Sequence, residues 1–187
     1  MPIMRIISGK FKSRRFQLPN KFTARPTTDF ARESLFNILN NQLKWEFTEA
    51  LDLFSGTGSI ALELVSRGCP HVVSVESNVK NHAFIQKVKE ILDAKELVTI
   101  KADVFTFIKS GNQKFKLIFA DPPYDLEDLQ TIPTKIFESG LLKPDGIFIL
   151  EHSKKNTFTE HPFFKEERKY GSVHFSFFEN DRKPAIQ

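Results

Sequence analysis

The sequence predicts an α/β protein whose central sheet is mostly parallel and covered by helices on both faces. Three observations predict this class. Short apolar segments alternate with segments of helical periodicity between residues 50 and 151, which is typical of a Rossmann-like sheet. A glycine-rich stretch follows the first apolar segment, at residues 55–58, as in many ligand-binding α/β sheets. Two strand-like segments at 165–170 and 173–178 flank Gly171 and Ser172, which predicts an antiparallel C-terminal hairpin.

The N-terminal part of the chain departs from this alternation. Two short strands are predicted within residues 2–18, around the turn-like sequence Ser8-Gly9-Lys10, so a small β-hairpin extension is expected before the main sheet. Thr28 is positioned to cap a helix, with Asp29 in its first turn. The apolar stripe predicted for that helix consists of Phe30, Leu35, Phe36, Ile38, Leu39 and Leu43.

The remaining elements alternate along the chain. Strands are predicted at residues 50–54, 72–75, 97–100, 115–120 and 147–151. Helices are predicted at residues 59–66, 79–92, 104–109 and 129–137. Gly68 is expected to close the first of these helices, and Pro133 lies in the first turns of the last. The sequence Pro144-Asp145-Gly146 predicts a turn before the strand at 147–151.

Length and composition indicate one globular domain with a small appendage. The chain has 187 residues, of which 40% are hydrophobic and 27% are charged, as is usual for soluble domains. It has no apolar run of membrane-spanning length, no signal-peptide pattern and one cysteine, Cys69. We therefore expect a monomeric cytoplasmic protein without a membrane partner. The five histidines show no paired ligand spacing, so no metal is expected.

Positive charge is concentrated at the N-terminus. Seven basic residues and no acidic residue precede Asp29, whereas the rest of the chain has 20 basic and 23 acidic residues. A basic segment interleaved with apolar side chains favours a nucleic-acid surface over a merely solvated hairpin. RNA contact is predicted for Arg5, Lys10, Lys12, Arg14, Arg15 and Arg25. We divide the chain into a basic arm (1–24), a main domain (25–180) and a tail (181–187).

Four acidic residues follow or end successive predicted strands: Asp52, Glu76, Asp103 and Asp121. In a parallel sheet the carboxyl ends of the strands share one edge, where ligands bind. One or two acids there are ordinary turn chemistry. Four of them predict a shared site.

The glycine loop raises the question of which cofactor it binds. Gly56-Thr57-Gly58 with Glu76 twenty residues on resembles the dinucleotide fingerprint, so an NAD-binding protein is one alternative. Asp52 argues against it, because a carboxylate beside the loop would repel a pyrophosphate. The ammonium and sulfonium groups of S-adenosylmethionine are instead attracted by that charge. Gly56 and Gly58 would admit the methionine end of this cofactor, and Glu76 would bind its ribose.

Several motifs together resemble the class I S-adenosylmethionine-dependent methyltransferases. They are D-L-F-S-G-T-G at 52–58, V-S-V-E-S-N at 73–78, K-A-D-V-F at 101–105 and D-P-P-Y at 121–124. The segments at 4–16, M-R-I-I-S-G-K-F-K-S-R-R-F, and at 25–39, R-P-T-T-D-F-A-R-E-S-L-F-N-I-L, are more specific. With them, the chain from Met4 to Phe178 resembles the RsmD family.

The resemblance implies an enzyme that methylates the exocyclic N2 amine of a guanine in small-subunit (16S) ribosomal RNA. Its substrate would be the RNA or the small-subunit ribonucleoprotein particle. The implied catalytic residues are Asp121, Pro122, Pro123 and Tyr124. The implied cofactor-binding residues are Asp52, Phe54, Ser55, Gly56, Gly58, Glu76, Ser77, Asn78, Asp103 and Val104. Asp103 is also positioned to cap a helix.

The D-P-P-Y motif has a physical rationale in methylation of an amine on a planar base. Prolines fix the backbone at 122 and 123 and restrict Asp121, so acceptors for the amine N–H groups are ordered in advance. Tyr124 would stack on the base. Two alternatives remain open: methylation of the N6 amine of adenine in DNA or RNA, and an NAD-binding or non-catalytic RNA-binding module. Arg25 and Arg32 are each expected to contact RNA, a structural acid such as Glu33, or the cofactor.

Overall fold

A computed structural model describes residues 2–19 and 28–180 of the chain. Nine strands are present in these residues: β1 (Ile3–Arg5), β2 (Arg15–Gln17), β3 (Glu49–Leu53), β4 (His71–Glu76), β5 (Leu97–Lys101), β6 (Phe115–Ala120), β7 (Leu142–His152), β8 (Phe164–Tyr170) and β9 (Val173–Glu179). The helices of the same residues are α1 (Asp29–Asn40), α2 (Ser59–Arg67), α3 (Val79–Leu92), α4 (Val104–Ser110) and α5 (Ile132–Ser139), with 3₁₀ turns at Trp45–Phe47 and Glu127–Thr131.

The main sheet has seven strands in the order β5-β4-β3-β6-β7-β9-β8. The pairs from β5 to β7 are parallel, and β9 runs antiparallel between β7 and β8. One face packs on α1, α2 and α3, and the other on α4 and α5, with separate buried clusters on each side. The α/β class, the helices on both faces and the antiparallel C-terminal hairpin are thus confirmed.

Residues 142–152 differ from the sequence prediction. We predicted a turn at Pro144-Asp145-Gly146, but these residues lie within β7. The register with β6 shifts there, because Phe115 pairs with Leu142 whereas Leu117 pairs with Ile147. The turn-forming residues therefore form an irregularity inside one long strand, and Asp145 is held to Lys116 across 2.6 Å.

Two helix predictions also change. Phe30 was assigned to the apolar stripe of α1, but its side chain is 70% exposed, while Leu35, Phe36 and Leu39 are buried. The predicted helix at 129–137 divides into a 3₁₀ turn and α5, which carries Pro133 in its first turn, where the missing N–H costs least. The cap predicted at Thr28 is confirmed, since its hydroxyl accepts the N–H of Ala31 at 3.2 Å.

The N-terminal hairpin is bound tightly to α2. Glu63, fully buried in that helix, accepts the N–H groups of Ile7 at 2.7 Å and Ser8 at 3.0 Å. The Ser66 hydroxyl accepts the N–H of Phe11 at 2.9 Å. A Cβ on Gly9 would lie 1.8 Å from the Ser66 carbonyl oxygen, so this contact requires glycine. The described part of the arm therefore shares the core of the main domain.

None of the helices in the described part of the chain combines the length and apolar character needed to cross a bilayer.

Candidate active site

The carboxyl ends of β3, β4, β5 and β6 meet at one edge of the sheet, which we call the catalytic edge. The chain leaves β3 toward β4 but returns to the other side of β3 at β6. Such a reversal opens a crevice between the loops that follow the two strands. The N–H of Asp121 donates to the Leu53 carbonyl at 3.3 Å, so these loops lie side by side. Asp52 and Glu76 lie at the ends of β3 and β4, and Asp103 and Asp121 lie in the loops that follow β5 and β6, so all four predicted acids are at this edge.

Asp52 is more buried than the sequence suggested. It is the penultimate residue of β3 and is 1% exposed. Its Oδ2 accepts the N–H of Ala61 at 3.1 Å, which holds the first turn of α2. Burial raises the pKa of Asp52 to about 7, against the hydrogen bonds from Ser55 and Ala61, and the charge of Glu76 raises it further. Asp52 is therefore a shielded acid whose ionised form is disfavoured by burial.

The loop after β3 has left-handed backbone at three positions: Phe54, Gly56 and Gly58, with φ of 57°, 53° and 72°. Left-handed backbone is strained for phenylalanine. The Phe54 ring packs edge-to-face on Phe105, with 6.3 Å between the centroids. A Cβ on Gly58 would lie 2.8 Å from Cγ1 of Ile85, whereas a Cβ on Gly56 would meet no atom closer than 3.9 Å. Gly58 thus allows α3 to pack on the loop, and Gly56 presents bare backbone.

Glu76 joins the loops after β3 and β4. Its Oε2 accepts the N–H of Gly56 at 2.7 Å, and its Oε1 accepts the N–H of Asn78 at 2.7 Å. Asn78 caps α3, since its Oδ1 accepts the Lys80 N–H at 2.9 Å. Ser77 is exposed between them. Each carboxylate oxygen of Glu76 still has acceptor capacity for a ribose hydroxyl.

The Ser55 side chain is occupied within the protein. Its hydroxyl donates to the Asp52 carbonyl at 2.8 Å and lies 2.8 Å from the hydroxyl of Ser74. Its N–H donates to the Val75 carbonyl at 3.1 Å. Ser55 therefore fixes the glycine loop to β4. Its carbonyl oxygen accepts the Gly58 N–H at 2.7 Å and has one further lone pair for a ligand.

Asp103 caps α4. Its Oδ1 accepts the N–H of Thr106 at 2.8 Å, which confirms the capping role. Val104, the next residue, is 2% exposed. An additional hydrogen bond from Asp103 to adenine stays a prediction.

The D-P-P-Y segment leaves β6 as a short, stiff loop beside the glycine loop. Pro122 is buried and Pro123 is exposed. The Tyr124 ring is 44% exposed at the catalytic edge, and its hydroxyl donates to Oε1 of Glu151 at 3.3 Å. The loop closes when the Leu126 N–H bonds the Pro123 carbonyl at 3.0 Å. The tyrosine is therefore both oriented by β7 and accessible to a planar ligand.

Three potential metal-ligating side chains lie together on β7, β8 and β9, namely His152, Glu167 and His174, with ligand atoms within 4.8 Å of one another. They have protein partners. His152 contacts the Ser153 carbonyl at 2.9 Å and the Ser176 hydroxyl at 2.8 Å, and Glu167 contacts His174 at 3.1 Å. Burial lowers the pKa of His152. The group forms a hydrogen-bonded network, and the expected lack of a metal stays a prediction.

The predicted RNA-binding residues differ in their surroundings. Lys10 pairs with Glu96, and Arg5 pairs with Asp29 at 3.1 Å. Lys12, Arg14 and Arg15 are exposed on the hairpin. Arg25 lies outside the described residues, as do the tail and residues 20–24 of the arm.

Arg32 has a structural position. It is 2% exposed, and it donates to Oδ1 of Asp29 at 2.8 Å and to the Arg5 carbonyl. Of the three expectations for Arg32, contact with a structural acid is confirmed, although the acid is Asp29 and not Glu33.

Two residues with important contacts were not identified from the sequence. Glu151 orients Tyr124, but a lone acid at a strand end carries little signal. Glu63 had a signal, because it is an acid between Leu62 and Leu64 on a helix whose neighbours are apolar. An acid at such a position requires a buried partner.

The seven-stranded sheet, with its antiparallel hairpin and a glycine loop at the central switch point, defines a class I S-adenosylmethionine-dependent methyltransferase. A family model described as Conserved hypothetical protein 95 matches residues 4–179. The chain belongs to this family, and the predicted resemblance to the RsmD family is confirmed.

Relatives and solved structures agree with this assignment. The chain is 30% identical to ribosomal RNA small subunit methyltransferase D of Buchnera aphidicola, over 95% of this chain and 92% of that protein. The solved structure of the Escherichia coli protein yhhF, described as a putative methyltransferase, superposes with a TM-score of 0.82 at 24% identity, covering 95% of this chain and 97% of that one.

A Thermus thermophilus 16S rRNA guanine-N2 methyltransferase, solved with S-adenosylmethionine and guanosine, also shares the fold. It superposes with a TM-score of 0.69 at 23% identity, over 92% of this chain and 48% of that one.

Proposed function

We propose that this protein transfers a methyl group from S-adenosylmethionine to the N2 amine of a guanine in 16S ribosomal RNA. One observation carries the proposal: the Asp121–Tyr124 loop adjoins the glycine loop at the crevice where the strand order reverses. The first loop suits an amine on a planar base, and the second suits a cationic cofactor. The ribosomal RNA substrate follows from the names of the relatives.

The residues around the glycine loop fit S-adenosylmethionine. Asp52 is a buried carboxylate without a cationic partner among the described residues, and a positively charged ligand would stabilise its ionised form. Glu76 and the backbone of Gly56 would bind the ribose and methionine portions. Phe54, Ser55, Gly58, Ser77, Asn78, Asp103 and Val104 complete the proposed cofactor site.

The cofactor supplies an electrophilic methyl group on a sulfonium, and S-adenosylhomocysteine leaves after transfer. The guanine N2 lone pair is delocalised into the ring, so the amine is a poor nucleophile. The Asp121 carboxylate and the Pro122 carbonyl would accept its two N–H groups and favour the tetrahedral, positively charged nitrogen that develops. Once the N–C bond has formed, the extra proton is acidic and passes to Asp121 or to water.

The proline pair and Tyr124 act before the chemical step. Fixed φ angles at Pro122 and Pro123 order the acceptors in advance, which lowers the entropy cost of aligning the amine. Tyr124 is exposed, and its hydroxyl is held by a hydrogen bond. Its ring would stack on the guanine after the guanine has left the stacked bases of the RNA.

The basic arm supplies the proposed RNA-binding surface. We assign phosphate contacts to Lys12, Arg14 and Arg15, which are exposed, and secondarily to Arg5. Lys10 is better explained as an anchor of the hairpin, since it pairs with Glu96. Binding to the ribonucleoprotein particle, a monomeric state, a cytoplasmic location and the domain limits at 24 and 180 stay predictions.

The test is a methyl-transfer assay on small ribosomal subunits from a strain that lacks the corresponding modification. Mass spectrometry of the nucleosides should detect N2-methylguanosine with the wild-type protein. Asp121→Ala should lose most of the activity and Asp121→Asn should keep part of it, while S-adenosylmethionine affinity measured by calorimetry stays unchanged. N6-methyladenosine, or calorimetric binding of NAD alone, would support the alternatives instead.

A further inference from the structure

A cavity of about 440 Å³ adjoins Tyr124 at the catalytic edge, and the proposed methyl transfer does not use it. Six side chains that line it are Tyr124, Ser153, Lys154, Lys155, Ser172 and His174. We propose that this cavity binds the nucleotide next to the target guanine, with its phosphate on Lys154 and Lys155. The inference rests on the proposed function, because it assumes that an RNA guanine occupies the catalytic crevice.

Size and position fit one nucleotide. The volume is within the range of small-molecule sites, about 300–1,000 Å³. Tyr124 belongs both to the Asp121–Tyr124 loop and to the cavity wall. A guanine stacked on this ring would therefore direct its sugar–phosphate backbone toward the cavity. The hydroxyls of Ser153 and Ser172 are suited to the ribose and to phosphate oxygens.

The charge of the cavity is positive. Lys154 and Lys155 are exposed and follow the carboxyl end of β7. Neither forms an ion pair with an acid in the described ranges, and the nearby acids have other partners. Glu151 accepts the Tyr124 hydroxyl, and Glu167 pairs with Lys169 at 3.0 Å. Two uncompensated ammonium groups beside an aromatic ring fit the phosphate of a single-stranded segment.

A second observation extends the path from the cavity to the basic hairpin. Phe30 is 70% exposed, and its ring meets that of Tyr170 edge-to-face with 6.0 Å between the centroids. Tyr170 directly precedes Gly171, which also lines the cavity. Next to Phe30, Asp29 is paired with Arg5 of the hairpin. An aromatic pair, in which Phe30 is exposed and Tyr170 is partly buried, thus lies between the arm and the cavity, and the Phe30 ring is accessible for stacking of an unpaired base.

The experiment compares Lys154→Glu/Lys155→Glu with the control Lys87→Glu/Lys114→Glu. The control pair is exposed and makes the same change in charge; Lys114 precedes β6 at the opposite edge of the sheet. With unmodified small ribosomal subunits, we expect the cavity variant to raise KM by about tenfold or more and flatten its salt dependence. The kcat and the S-adenosylmethionine affinity should stay near wild type. Equal KM changes in both variants would overturn the proposal.

Competition by small probes tests the one-nucleotide assignment. Guanosine is compared with the dinucleotides guanylyl-uridine and uridylyl-guanosine as inhibitors. One dinucleotide should inhibit the wild-type protein at least about fivefold more strongly than guanosine, and Lys154→Glu/Lys155→Glu should remove that advantage. If neither dinucleotide exceeds guanosine, the cavity is not a flanking-nucleotide site. If the wild-type protein forms no N2-methylguanosine at all, the proposed function itself fails.

Discussion

The phenol oxygen of Tyr124 lies 3.3 Å from Oε1 of Glu151 and donates a hydrogen bond to it. This contact joins the loop after β6 to the end of β7 and fixes the ring at the catalytic edge. Glu151 is 2% exposed, so loss of the hydroxyl removes a donor from a buried carboxylate. The ring and the hydroxyl of Tyr124 therefore have separable roles.

We expect Tyr124→Phe to keep base stacking and reduce kcat/KM only a few-fold, because the ring remains but is less well oriented. Tyr124→Ala should reduce kcat/KM by roughly 10- to 100-fold, since base–aromatic stacking contributes about 1–3 kcal/mol. Steady-state kinetics on small ribosomal subunits measures both variants. Equal losses in the two would assign the effect to the hydroxyl and contradict a stacking role.

Cofactor binding should depend on pH through Asp52. Its folded-state pKa of about 7 lies above the ordinary value of 3.8, so the folded protein binds the extra proton between these pH values and loses stability as pH rises through 7. A cationic cofactor favours the ionised form. We therefore expect S-adenosylmethionine affinity to rise roughly fivefold to tenfold from pH 6 to pH 7.5.

Isothermal titration calorimetry at several pH values, with Asp52→Asn as the control, measures this effect. The variant cannot ionise at this position, so it retains only the pH dependence that comes from the ligand itself. Wild type and variant with parallel pH profiles would show that Asp52 does not titrate with binding.

Glu63 should be among the most sensitive positions for folding. Its buried carboxylate holds the N–H groups of Ile7 and Ser8 and pairs with Arg67 at 2.8 Å. Glu63→Ala leaves the Arg67 guanidinium and two backbone N–H groups without their buried partner. The free energy of unfolding measured by urea denaturation should therefore fall by about 3–5 kcal/mol. Glu138→Ala, an exposed acid on α5, is the matched control and should change stability little.

Hydrogen exchange separates a local effect from a global one. Residues 6–11 of Glu63→Ala should exchange faster than β3 and β6, because only the hairpin loses its anchor. Unchanged exchange in the hairpin would mean that other contacts hold it.

Reversal of charge at Arg14 and Arg15 should weaken RNA binding and reduce its salt dependence, because two phosphate contacts are lost. Lys10→Ala should leave RNA affinity near wild type, and the exposed ion pair with Glu96 should contribute only about 0–1 kcal/mol to stability. Fluorescence anisotropy with a labelled ribosomal RNA fragment at several salt concentrations measures both. Comparable losses of RNA affinity in the two variants would show that Lys10 also contacts RNA.

Local sequence signals predicted most of the sheet. The helix at 79–92 and the strand at 115–120 match the structure residue for residue, because periodicity, the Asn78 cap and flanking breakers agree there. The strand-end positions of Glu76 and Asp121 followed from the same pattern. Pro144-Asp145-Gly146 was predicted as a turn, but β7 pairs with β6 on both sides of these residues. Pairing between the two strands therefore outweighs the local turn preference of the sequence.

The burial of individual site residues was beyond sequence reasoning. The direction of the Asp52 side chain depends on where α2 begins relative to β3, and the Ala61 N–H decides it. Phe30 is exposed because α1 faces the core through Ala31, Leu35 and Leu39, and Phe30 points away from that face. Both outcomes depend on contacts between elements far apart in the chain.

The docking of the hairpin tip on α2 has a consequence for substrate choice. The tip is fixed at Ser66, near the C-terminal end of α2, whereas the glycine loop precedes the N-terminal end. A nine-residue helix spans about 13 Å, so the tip and the methyl-transfer crevice are held at a constant separation. We therefore expect RNA that is already folded so that its backbone and target base match that spacing to be methylated more efficiently than the same nucleotides in an unstructured strand.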